Sequence, residues 1–536
     1  MKPHALVPST RACLVPARLW FLLLALGGAS SATAAVVTRG PYLQMGTPSS
    51  IVVRWRTDVA TDSRVRYGSA PGSLTLFANN STITTEHEVA VSGLSSDSQY
   101  YYSVGSSTVT LAGGDSTYFW VTFPPAGVPA PTRVWVIGDS GTANANAIAV
   151  RNAYFNATGT RHTDLWLMLG DNAYESGTDA EYQAAVFNLY PTLLRKSVLF
   201  TTLGNHDTAQ ATQFVDTYPY FSIFSLPRNG ESGGLASGTE HYYSFDFGNL
   251  HFICLDSMTA NRSATGPMAT WLQNDLAATT RDWIIAYWHH PPYTKGSHNS
   301  DTETELIQMR QNFLPILEAG GVDLVLSGHS HSYERSYLID SHYGLSSTFS
   351  SANIVDGGSG REPNPYEKPT GLPAHAGAVY TVAGSSGQIS GGTLNHPAMV
   401  ASLNVLGSVV LDFTTNRLDL QFLDSAGSVR DSFALVKVSG VPTPPNPPSG
   451  LAARASGKRK IQLTWTQSAS PNVTLNRIYR STASGGPYGL LATIAAGTSY
   501  LNSGLTGGST YYYVVTAVNG SGLESAQSNP ASARAR

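Results

Sequence analysis

Six short apolar runs recur through the middle of this chain, and they constrain its fold more than any other feature. They are Arg133–Ile137, Leu165–Leu169, Val198–Leu203, Leu250–Leu255, Trp283–Trp288 and Val322–Leu326. Runs this short with little polar alternation are typical of strands buried on both faces. Between two of them, Leu306, Met309, Phe313 and Leu317 fall at helical spacing, and Gly320-Gly321 supplies a stop. Pro315 sits inside that stretch and weakens its continuity. Strand–helix alternation predicts an α/β domain. The rest of the composition agrees with a multidomain globular chain. Its 536 residues allow three or four domains. Only 12% of residues are charged, which disfavours a coiled coil and a charge-driven disordered chain. A net charge of −3 gives no electrostatic footprint for nucleic acid, and two cysteines make no disulfide scaffold.

Two proline-rich stretches divide the chain: four prolines in Pro124–Pro131 and five in Pro442–Pro448. Such runs favour extended, semi-rigid spacers. The segments they separate on either side share a pattern. Ile51-Val-Val-Arg-Trp55 is followed 45 residues after the Trp by Tyr100-Tyr-Tyr, and Ile461-Gln-Leu-Thr-Trp465 is followed 46 residues on by Tyr511-Tyr-Tyr. Each tyrosine lies six residues after a leucine, Leu94 or Leu505. A buried strand Trp with a tyrosine corner marks an immunoglobulin-like sandwich. Both segments resemble fibronectin type III modules, the C-terminal one more closely. The expected organisation is a β-sandwich at 36–124, an α/β domain at 131–440, a linker at 441–448 and a fibronectin type III-like β-sandwich at 449–536.

Lys2, Arg11 and Arg18 precede an apolar run from Leu19 to Leu26, and small residues lead to Ala32-Thr-Ala34. These are the three parts of a secretory signal peptide, predicted here over residues 1–34 with cleavage after Ala34. A secreted or periplasmic protein follows, with no membrane span once the signal is removed. Cleavage takes three basic residues and no acid, which lowers the net charge from −3 to −6. Cys254, left alone in an apolar stretch, reads as a buried free thiol.

Five of the apolar runs lead straight into ligand-rich loops. Ile137 is followed by Gly138-Asp-Ser-Gly141, Leu169 by Gly170-Asp-Asn-Ala-Tyr174, and Leu203 by Gly204-Asn-His-Asp207. Trp288 leads into His289-His290, and Leu326 into Ser327-Gly-His-Ser-His331. In open α/β sheets ligands bind beyond the carboxyl ends of the strands, so these loops are placed to converge. Asp, Asn, Tyr and His together form a mixed oxygen–nitrogen set suited to Zn, Fe or Mn, and the absence of thiolates argues against a Cys-type zinc site.

The order GDxG, GDxxY, GNHD, a strand ending in His, and Gly328-His-Ser-His-Ser-Tyr-Glu-Arg335 resembles the calcineurin-like metallophosphoesterases, and within them the purple acid phosphatases. The resemblance covers roughly 36–440, which leaves the C-terminal module as an addition. It implies a central domain of two sheets flanked by helices. General metallophosphoesterases carry D-x-H in the first motif, whereas this chain has Gly141 and offers Tyr174 instead, as purple acid phosphatases do. Carried over motif by motif, Asp139, Tyr174 and His331 match ligands of a first metal, Fe(III). Asn205, His289 and His329 match those of a second, divalent ion (Zn, Fe or Mn), and Asp171 matches the carboxylate between them. Spacing alone leaves His289 and His290 ambiguous by one residue. His206 matches a substrate-contacting proton donor, and His298 is a looser second candidate.

The implied function is a secreted acid phosphatase that hydrolyses small phosphate monoesters by attack of metal-bound hydroxide on phosphorus. A phosphodiesterase or nucleotidase would use the same core, with substrate choice expected to rest on loops such as Arg228–Glu240. A non-catalytic surface-binding protein is the remaining alternative. It predicts lost ligand positions, and all seven are filled here. Surface or polysaccharide contact through the C-terminal module is an expectation from fold analogy alone.

Overall fold

The computed structural model describes residues 35–210, 215–439, 445–470, 473–519 and 522–536. The predicted signal peptide and linker residues 441–444 lie outside them. Among the described residues no helix is long and apolar enough to cross a membrane.

The N-terminal segment forms six strands: β1 (Val37–Gln44), β2 (Ser50–Gly68), β3 (Leu76–Ser92), β4 (Gln99–Gly105), β5 (Thr110–Gly113) and β6 (Phe119–Val121). β2 is shared between two sets of neighbours. Register shifts between Arg56 and Ser63 divide it, so its first half lies between β1 and β3 and its second between β3 and β4. Trp55 is buried and stacks on His87 with ring centroids 4.7 Å apart. The predicted tyrosine corner is present: the Ser95 amide donates to the Tyr100 hydroxyl at 3.0 Å.

The central domain contains the expected pair of sheets. Strands β7 (Thr132–Ile137), β8 (Leu165–Met168) and β9 (Val198–Thr201) run parallel. Gly407–Phe413, Arg417–Asp424 and Val429–Val438 extend this sheet antiparallel beyond β7. The second sheet has seven strands: β10 (Tyr243–Phe247), β11 (Leu250–Cys254), β12 (Trp283–Trp288), β13 (Leu324–Ser327), then Val379–Ala383, β14 (Tyr333–Ser336) and Met399–Leu403. Cys254 is a buried free thiol on β11. The apolar spacing at 306–317 gives two helices, Thr304–Asn312 and Leu314–Ala319. The break falls at Phe313 because Pro315 lacks the amide that a continuous helix needs there.

The proline-rich stretch at 124–131 is not the extended spacer that its composition predicts. The Gly127 amide donates to the Gly248 carbonyl at 2.8 Å and the Val128 amide to that of Pro125 at 3.0 Å. Phe123 packs on Phe247, with ring centroids 4.7 Å apart. The two segments also share hydrogen bonding, because β1 pairs in parallel with β9 at Leu43 and Val198. The resulting sheet has thirteen strands. One apolar core runs from Trp55 and Trp120 to Trp135 and Phe200. Buried Arg39 meets Asp179 at 2.9 Å, and Arg56 meets the same carboxylate at 2.6 Å.

The C-terminal module has a three-stranded and a four-stranded sheet. Trp465, Ile478, Leu505 and Tyr513 fill its core. Its tyrosine corner repeats the N-terminal one: the Thr506 amide donates to the Tyr511 hydroxyl at 3.1 Å. Tyr511→Phe keeps the ring and removes the acceptor, at an expected cost of about 1 kcal/mol. Hydrogen exchange at the Thr506 amide should then be faster by roughly ten-fold, and unchanged exchange would show that the phenol does not hold the corner.

Candidate metal centre

The five ligand-rich loops converge at the carboxyl ends of two sheets. β7, β8 and β9 deliver Asp139, Asp171–Tyr174 and Asn205–His206, while β12 and β13 deliver His289 and His329–His331. The turns are tight. Asp139, Asp171 and His329 all have left-handed backbones, with φ of 55°, 51° and 63°. Non-glycine residues held this way cost free energy and cluster at functional sites. Gly141 shows why the first motif carries no side chain: an added Cβ would lie 2.4 Å from the Ala173 amide nitrogen. The Gly141 amide donates to the Asp171 carbonyl at 3.1 Å, and the Tyr174 amide donates to the Gly141 carbonyl at 3.0 Å. This contact brings Tyr174 up to Asp139.

Two donor sets flank Asp171. On one side, the Tyr174 hydroxyl lies 3.0 Å from Asp171 Oδ2, 3.3 Å from Asp139 Oδ1 and 3.3 Å from His331 Nε2. On the other, Asn205 Oδ1 lies 3.1 Å from His289 Nε2 and 3.0 Å from His329 Nδ1. The second Asp171 oxygen, Oδ1, faces that side, 3.5 Å from His289 Nε2. It also accepts the His206 amide at 2.9 Å.

The electrostatics suit bound cations. Asp139 and Asp171 are buried, and among the described residues neither pairs with Lys or Arg. Burial and then the two carboxylates hold the Tyr174 hydroxyl far above the usual phenol range. A phenolate there therefore needs a strong neighbouring cation. Burial opposes the charged forms of Asp139 and His331, yet their mutual contact lowers the carboxyl and raises the imidazole. His289 is also raised: burial opposes this, and the Asp171 and Asp139 charges outweigh it. Burial pushes His329 down to about 4, which keeps its ring neutral and able to donate a lone pair. The donor set fits two metal ions.

Neighbouring groups fix the rings. The Leu169 carbonyl lies 2.9 Å from His289 Nδ1, which assigns the proton to Nδ1 and frees Nε2 toward Asn205. His290 lies behind this face, with Nδ1 2.9 Å from the Ser257 hydroxyl and its ring 4.3 Å from that of His329. His206 packs beside Tyr174 at 4.4 Å, and the Glu175 carbonyl 2.7 Å from its Nδ1 leaves Nε2 without a partner among the described residues. His298 lies against the His329 ring at 3.7 Å, with Nδ1 2.8 Å from Glu303 Oε2.

Two groups at the site were missed in the sequence. Glu303 holds His298 and also approaches His329 Nε2 at 3.4 Å, but it sits in an acidic run with no motif. Gln388 Nε2 lies 3.3 Å from His331 Nε2. Its signal was present: Val379–Ala383 is another apolar run that ends in a glycine-rich loop, Gly384-Ser-Ser-Gly387. The loop Arg228–Glu240 is tied to β10 and to the helix Pro267–Ala278. The Ser232 carbonyl accepts the Asp246 amide at 3.0 Å and the Leu235 amide donates to Asp275 at 2.8 Å. It covers β10, which is an edge strand and would otherwise expose unpaired backbone groups.

Two known protein families match parts of the chain. The calcineurin-like phosphoesterase family matches residues 132–333, and the purple acid phosphatase N-terminal domain matches 39–124. The chain belongs to the purple acid phosphatase group of the calcineurin-like metallophosphoesterases. Purple acid phosphatase 15 of Arabidopsis thaliana is 28% identical over 47% of this chain and 49% of its own length. Acid phosphatase type 7 of Mus musculus is 26% identical over 64% of this chain and 76% of its own length. The match thus spans about half of the first of these relatives. The lupin purple acid phosphatase PPD1 has the same fold over 75% of this chain and 74% of its own, with a TM-score of 0.60 at 19% identity. Members of this family use a dinuclear metal centre, and the described residues include His/Asp groups able to hold metal ions.

Proposed function

We propose that the protein is an exported acid phosphatase that hydrolyses small phosphate monoesters at this centre. Asp139, Tyr174 and His331 would hold Fe(III), Asn205, His289 and His329 a divalent ion (Zn, Fe or Mn), and Asp171 both. The observation that carries the reading is Asp171, whose two carboxylate oxygens face the two donor sets separately. Two metal ions bound there would lower the pKa of water and neutralise charge on the phosphoryl oxygens. His206 then has a proton-transfer role: its Nδ1 is held by the Glu175 carbonyl, and Nε2 is available to the leaving oxygen. His298, anchored by Glu303, is the second candidate, placed on the Asn205 side. Export would follow cleavage after Ala34. The same reading keeps the divisions 36–124, 131–440 and 449–536 as functional units, the last as a tether or surface-contacting module.

Metal analysis and a visible spectrum of the purified, oxidised protein test this reading. Two metals per chain with a visible charge-transfer band are expected. Tyr174→Phe should lose the band, because the phenolate is its donor. A band that survives in Tyr174→Phe, or protein that binds no metal, would overturn the assignment. Faster turnover of bis(p-nitrophenyl) phosphate than of p-nitrophenyl phosphate would favour the diesterase alternative.

A further inference from the structure

A cavity of about 470 Å³ lies at the opposite end of the parallel strands, where β8 and β9 begin. It opens between β6, the end of the helix Ala145–Thr158 and the helix Pro191–Leu194. The volume is that of a small-molecule site. Its walls combine the rings of Phe119 and Phe155 and the side chain of Leu193 with Thr158, Thr160, Thr163 and Thr192, and no Asp or Glu lines it. Three nitrogen-bearing side chains enter it. Arg161 is committed to Asp412 at 3.0 Å. Lys196 has no carboxylate partner among the described residues, and its ammonium sits 6.0 Å from the Phe119 ring centre. His162 stacks obliquely on Phe119 at 5.4 Å, with its Nδ1 buried and without a hydrogen-bond partner among the described residues. Burial, followed by the Lys196 charge, pushes His162 down to about 4, so the ring is neutral and has one N–H to donate.

Buried polar groups are normally satisfied, and an exception calls for an explanation. The Nδ1 exception itself is sealed from the cleft, but the His162 ring and the Lys196 ammonium both line it. We propose that this cavity binds a small organic anion with a flat aromatic body, its ring between Phe119 and Phe155 and its acid group toward Lys196 and His162. A bare inorganic anion would leave the aromatic walls unused, and a neutral aromatic would leave the ammonium unpaired.

Titration of the full chain with 2-naphthoate, followed by calorimetry, tests this. Saturating inorganic phosphate is kept present so that the dinuclear centre does not capture the carboxylate. Saturable binding at one site is expected, with 2-naphthol at least ten-fold weaker, since a charge-assisted contact is worth about that factor. Lys196→Met and His162→Leu should each weaken 2-naphthoate by about ten-fold. Equal affinity for 2-naphthol, unchanged affinity in both variants, or no saturation would overturn the proposal. The 2-naphthol comparison uses the unmodified protein and so does not depend on the variants folding.

Discussion

Asp171→Ala is expected to lose metal loading and phosphatase activity together, with turnover falling at least about a thousand-fold. The two Asp171 oxygens face the two donor sets separately, so one substitution would remove a proposed ligand from each. The fold should survive it. Asp171 is buried beside Asp207, whose carboxyl is held up at about 7 by burial and then by the Asp171 charge. Removing Asp171 relieves that repulsion, so the metal-free variant should unfold no earlier than metal-free wild type. Metal content, turnover of p-nitrophenyl phosphate and thermal unfolding measure the three effects separately. An active Asp171→Ala protein, or one holding two metals per chain, would sink the assignment of the centre.

Asp323→Ala should be the most damaging substitution outside the centre. Asp323 Oδ1 lies 2.7 Å from Lys368 Nζ and 2.6 Å from Lys437 Nζ, and all three side chains are at most 2% exposed. The other oxygen accepts the Ile284 amide of β12 at 3.0 Å. One carboxylate therefore joins the second sheet to two strands of the first. Burial pulls the Lys368 ammonium down to about 8 even with Asp323 beside it. Without Asp323 two ammonium groups remain buried and unpaired, a loss of roughly 3–5 kcal/mol. Denaturant unfolding of the full chain near pH 7 measures this. Asp323→Leu combined with Lys368→Met and Lys437→Met should recover much of the loss, because no uncompensated charge then remains. A full loss persisting in the triple variant would show that packing, not charge, dominates.

The site was legible where its chemistry is local. A glycine before Asp139, Asp171 and Asn205 announces a sharp turn at a strand end, and His329-Ser-His331 announces two rings on one loop. The tyrosine corners were legible for the same reason, since the bonds from Ser95 to Tyr100 and from Thr506 to Tyr511 span only five residues. Choices that depend on distant partners were not legible. His289 turns toward Asn205 and His290 toward Ser257 because of where β12 lies beside its neighbours, and adjacent identical residues carry no sign of that. Glu303 and the course of Arg228–Glu240 along β10 were hidden likewise.

The sequence by itself determined the strand-and-loop order of the centre, the two tyrosine corners and the replacement of a histidine by Gly141 and Tyr174. The first two follow from spacing and turn chemistry, and the third is read from the resemblance to the purple acid phosphatases. Only the tertiary structure decided that β1 joins β9, that one core continues past Pro124–Pro131, and that an aromatic, cationic cavity opens behind the catalytic sheet. Each is a meeting of segments remote in the chain. Such meetings are set by which edges and faces remain uncovered after local structure has formed.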